Sequence, residues 1–106
     1  MRIEPRRQKI TNQERTNTMP KFMSSHTVPA GTLTREQINQ IAQAAQKDPM
    51  VQPYRSFLNL SEGKIVWIMQ APDERALATW FQKMQMPCDS ITAVELEGDL
   101  GTVKEA

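Results

Sequence analysis

A chain of 106 residues with a 39% apolar share fits a single domain, one close to the lower size limit for a self-sufficient core. Residues 1–18 hold five basic and two acidic side chains, while residues 19–106 hold eight and ten, so the folded part is mildly acidic and lacks the basic stripe of a nucleic-acid-binding protein. Cys88 is the only cysteine, which excludes an intrachain disulfide, and no stretch reaches the apolar length of a membrane span.

Residues 1–18 are polar and without period, and read as a disordered tail ahead of a natural beginning at Met19-Pro20. Their arginines precede no apolar segment, so no secretory signal is expected, and the cytoplasm is the default location. Lys21 to Val28 alternates as a strand with Phe22, Ser24, His26 and Val28 on one face. Thr34 with Gln37 forms a capping-box pattern, and Ile38, Ile41, Ala42 and Ala45 follow at helical spacing until Asp48-Pro49.

Tyr54–Leu60 and Lys64–Gln70 read as a hairpin around Ser61-Glu62-Gly63. The second of these strands is apolar on both faces, with Ile65, Trp67 and Met69 against Val66 and Ile68, so both faces should be covered. Pro72-Asp73-Glu74 opens a second helix whose stripe is Ala76, Leu77, Trp80, Phe81 and Met84, with Pro87 as its stop. Ser90 to Glu97 is a final strand, and Gly98 to Ala106 reads as a frayed end. The order β-α-β-β-α-β predicts an α+β, ferredoxin-like domain over 19–106, a four-stranded antiparallel sheet with two helices on one face. Two helices cover one face, so the other is expected to meet a second copy in a homodimer.

Chemistry is sparsely marked. No glycine-rich phosphate loop and no serine–histidine–acid set can be read. Asp73-Glu74 is explained by helix capping and Glu95/Glu97 by a solvated strand face. Met84, Met86 and Cys88 are soft donors of the kind Cu(I) takes, but Met84 belongs to the core stripe. Cys88 follows a helix C-terminus, where the dipole does not activate a thiol. His26, the only histidine, is the one candidate metal ligand. Beside Ser24 it is more simply a packed, hydrogen-bonded strand residue.

Three stretches carry a resemblance: KFMSSH at 21–26, the Leu33-Thr34 entry into a helix, and KIVWIMQAPDERAL at 64–77 ahead of Pro87-Cys88-Asp89-Ser90-Ile91. Together they resemble the small bacterial nickel-binding-protein-like family. The resemblance implies a ferredoxin-like protomer, dimerisation in the manner of α+β barrels, and binding of nickel or another divalent metal. His26 matches the family's strand histidine, and Ser24 stands in place of its aspartate. Ala42, Trp80 and Met84 occupy the approximate positions of helical histidines, and Gln70 replaces a glutamate. Metal or small-ligand binding is therefore the leading expectation, with Tyr54, Arg55, Trp67 and Trp80 as pocket candidates. The alternatives are a cofactor-free α+β barrel oxygenase or isomerase using Tyr54, Arg55 and His26, and a non-catalytic interaction module.

Overall fold

The computed structural model describes residues 19–106; the expected disordered tail lies outside the described residues. Strand β1 (Lys21–Thr27) leads to helix α1 (Arg35–Lys47), then β2 (Gln52–Asn59), β3 (Lys64–Gln70), α2 (Glu74–Lys83) and β4 (Ser90–Ala93). These four strands form one sheet in the order β2-β3-β1-β4, with every pairing antiparallel. This is the expected α+β, ferredoxin-like arrangement.

Each helix begins where local chemistry directs it. Thr34 accepts from the Gln37 amide and Gln37 reaches back to the Thr34 amide, a complete capping box. Asp73 caps α2 by accepting from the Ala76 amide at 2.8 Å. The end of α2 differs from expectation. Pro87 does not stop it, because the helix closes earlier in a Schellman turn, with Gln85 at φ 58° and the Met86 and Gln85 amides returning to the Phe81 and Gln82 carbonyls. Met86 is buried as a result.

Both helices cover the same face of the sheet. Phe22, Ser24, His26, Ile65, Trp67 and Met69 point into it and are buried, with Leu77, Trp80 and Phe81 supplied by α2. Edge strand β2 tolerates Pro53, which lacks a ladder donor, and a bulge at Tyr54 shifts its register against β3. The β2–β3 turn requires Gly63. It has φ +72°, and a Cβ there would overlap the Val28 carbonyl.

The C-terminus corrects the reading of a single last strand with a frayed end. The strand from Ser90 stops at Ala93, and the chain then folds a separate hairpin of β5 (Leu96–Asp99) and β6 (Thr102–Glu105). No helix among the described residues is long and apolar enough to cross a membrane.

Candidate functional site

His26 is 1% exposed at the centre of the helix-covered face. Its Nδ1 lies 2.6 Å from the Pro87 carbonyl, which only accepts, so Nδ1 carries the proton. Nε2 of the neutral ring then accepts from the Ser24 hydroxyl at 2.8 Å. The 3.4 Å approach of Ser24 Oγ to the Trp67 carbonyl is thereby left without that proton. The Schellman turn matters here, because it turns the chain after Phe81 and delivers the Pro87 carbonyl to the ring. Phe81 lies edge-on to the imidazole at 4.5 Å between centroids, and Trp67 at 6.1 Å. Burial pushes the His26 pKa below its ordinary 6.5, against the opposing pull of the Pro87 hydrogen bond and the Asp89 charge.

A divalent metal would need several bare donors, and the residues present do not supply them. Among the described residues no three His, Cys, Asp or Glu side chains converge. The chain has one histidine and one cysteine in all. Both His26 nitrogens are committed to protein partners, and the ring faces the helices rather than the bare side of the sheet. Trp80 is core, Met84 is half-buried, and Gln70 donates to the Met19 carbonyl at 3.2 Å. Desolvation raises the Cys88 pKa, and its Sγ is directed to the Ser90 carbonyl at 3.5 Å. The donor set does not fit nickel.

A second feature lies over β2 and β3. Ala42 and Ala45 of α1 leave a cavity of about 110 Å³ above Pro53, Tyr54, Arg55, Ser56, Trp67 and Met69. Two small helix residues facing a tryptophan cannot fill the space that a leucine or histidine would. Three of the four pocket candidates, Tyr54, Arg55 and Trp67, border it, although Arg55 pairs with Ile68 and so belongs to the helix-free face. Trp80 does not line it and instead tilts against Trp67 at 6.4 Å. His26 is also absent from the lining, so the expected Tyr54–Arg55–His26 grouping is not assembled.

Tyr54 borders the cavity while its hydroxyl is engaged outside it. Its hydroxyl donates to Glu97 of β5, which also receives Lys21 Nζ at 2.6 Å. That hydrogen bond to Glu97 raises the tyrosine pKa, while Lys21 and Tyr54 together lower the Glu97 pKa. Sequence reasoning missed the Pro87 carbonyl and Glu97, both backbone or long-range partners. The Ala42/Ala45 pair opposite Trp67 was a signal available in the sequence.

The model of a family described as nickel responsive protein SCO4226-like matches residues 22–94. The chain is also similar to the crystal structure of SCO4226 from Streptomyces coelicolor A3(2), at 25% identity and a TM-score of 0.63 over 74% of this chain and 99% of that one. No curated protein matches the chain.

Proposed function

Because the chain belongs to the family of nickel responsive SCO4226-like proteins, we propose that it is a binding protein of that family whose ligand is a compact, largely apolar organic molecule rather than nickel. The observation that supports this reading is the cavity under α1. At about 110 Å³ it is somewhat smaller than the roughly 150 Å³ apolar cavity known to take benzene or xenon. Its lining holds no His, Asp or Glu to move a proton, which favours binding over turnover. Ala42, at the approximate place of a family histidine, contributes space instead of a donor.

The protein is proposed to work as a cytoplasmic homodimer joined through the helix-free sheet face, where Met23 and Phe57 stand exposed.

The test uses benzene and xenon as probes, followed through the Trp67 indole resonance. Saturable shifts that vanish in Ala42→Phe, with the fold kept, are expected. Shifts that persist in Ala42→Phe would place the ligand elsewhere. Nickel titrated by calorimetry into the full chain should give no stoichiometric binding; tight binding, abolished by His26→Ala, would overturn the exclusion of metal.

A further inference from the structure

The hairpin β5–β6 lies beyond the residues that match the family and joins neither edge of the four-stranded sheet. A lone two-stranded hairpin is marginal in water. This one is nonetheless specified locally. Its two-residue turn, Leu100-Gly101, has φ 51° and 89°, as a type I′ connection between twisted strands demands. The first of those positions usually takes Asn, Asp or Gly. Here it holds a leucine that is 99% exposed, in a conformation unfavourable to any side chain with a Cβ.

The register sorts the rest of the hairpin into two faces. Leu96, Gly98, Val103 and Glu105 share one; Glu97, Asp99, Thr102 and Lys104 share the other. Glu97 anchors the hairpin to its own body through Lys21 and Tyr54. Leu96 and Val103 are left exposed on the opposite side. Beside the hairpin runs a groove lined by Leu96 and Gly98 together with Met23, Phe57 and Ile68 of the helix-free sheet face. The apolar parts of the face and of the hairpin are thus continuous.

Their charges are opposite. Strands β1 to β4 contain no Asp or Glu, and they place Lys21, Arg55 and Lys64 on the helix-free side; the acids at its rim are Asp89, held by Thr27, and Glu95 and Glu97, which line the groove, with Glu97 bonded to Lys21. The hairpin carries Glu97, Asp99 and Glu105 against Lys104. A basic apolar face next to an acidic apolar arm is complementary to itself after a twofold rotation, which lays each arm on the other copy's face. Lys21 with Glu97 is the same pairing made within one chain.

We infer that the β5–β6 hairpin is a dimerisation arm that lies across the helix-free sheet face of a second copy of this chain. Leu96, Val103 and the tip residue Leu100 cover Met23, Phe57 and Ile68 of the second copy, and Glu105, on the same face of the hairpin as Leu96 and Val103, lies toward its Arg55 and Lys64. This rests on the homodimer reading and assigns its contact.

Sedimentation equilibrium on the full chain, beside Leu100→Asp/Val103→Asp and Phe57→Asp, tests both. All three substituted residues are exposed, so each variant should keep its circular dichroism spectrum. A wild-type dimer whose dissociation constant rises about tenfold or more in each variant is expected, the effect of leaving the area of one buried leucine in water. The wild-type dimer should also weaken with added salt. A monomeric wild-type chain at every concentration overturns the homodimer reading. A dimer disrupted by Phe57→Asp but untouched by Leu100→Asp/Val103→Asp overturns the arm and leaves the dimer standing. Isotope-filtered NOEs in a mixed labelled and unlabelled dimer give a second readout. Contacts from Leu100 methyls to the Phe57 ring must cross between copies; their absence in an intact dimer overturns the arm.

Discussion

On one side of the sheet Ser24 and His26 are buried and bonded to each other; on the other, their chain neighbours Met23 and Ser25 face outward, and Ser25 bonds the exposed Ser90 hydroxyl at 2.8 Å. The residues are adjacent, yet their surroundings impose opposite demands. Under the helices a polar group has no water to turn to, so each must find a protein partner. On the bare face water is always available, and three cations and a 61% exposed Phe57 are tolerated together. The helix side therefore governs stability, and the bare side is the one that carries the proposed association. His26 belongs to the first kind of surface.

The largest effect that separates the two sides comes from aromatic truncation. Phe81 packs on His26, Trp67 and Trp80. Phe81→Ala should cost about 3–5 kcal/mol in urea unfolding. Phe57→Ser, measured where the chain is dilute, should stay within about 0.5 kcal/mol of wild type. Similar costs for the two would mean that the helix-free face is buried even in the single chain.

The neighbouring serines sharpen the contrast. Ser24→Ala leaves the buried His26 Nε2 without a donor and should cost about 1–3 kcal/mol, whereas Ser25→Ala should change stability by no more than about 0.5 kcal/mol.

The same buried ring predicts a pH dependence. Because the folded protein holds His26 below 6.5, the unfolded chain binds the proton more readily. The stabilising contribution is present above 6.5 and is lost as pH falls from there through the lowered folded value. Glu97, the acid held by Lys21 and Tyr54 with a lowered pKa, titrates further down and leaves this window clear. Urea midpoints between pH 7.5 and 5 should fall in wild type and stay level in His26→Leu, whatever that variant's stability at neutral pH. A level wild-type profile would show that protonated His26 is accommodated, with Nε2 donating to Ser24 and the freed hydroxyl turning to the Trp67 carbonyl.

The smallest effect lies at the cap that serves the buried side. Gln85 is left-handed, so Gln85→Gly should raise stability by about 1 kcal/mol while leaving the Pro87 carbonyl on His26. A thermal melt with a loss of stability would mean that the glutamine side chain contributes more than its backbone strain removes.

Much of the fold could be read from the chain because its causes are local. Thr34 and Gln37 specify a helix start within one turn, Asp73 does the same for α2, and the two-faced apolar run of 64–70 marks a central strand whatever surrounds it. The hairpin at the end was missed because its apolar residues are few and exposed, so no burial period marks it; the two-residue Leu100-Gly101 turn was the available clue. The candidate site was read less well. Tyr54, Arg55 and Trp67 were chosen by type and do border one cavity, yet its space is set by Ala42 and Ala45, residues that matter for what they lack.

By itself the sequence determined the β-α-β-β-α-β order, the two caps and a single imidazole per chain, since capping and periodicity act over a few residues and composition needs no fold. Only the tertiary structure decided that this imidazole is closed off. Its Nδ1 partner is a carbonyl 61 positions away, placed by the turn that ends α2 ahead of β4, the strand beside β1. A convergence of that kind leaves no periodic trace in the chain, because it depends on the direction of a backbone group and not on the identity of the residue that bears it.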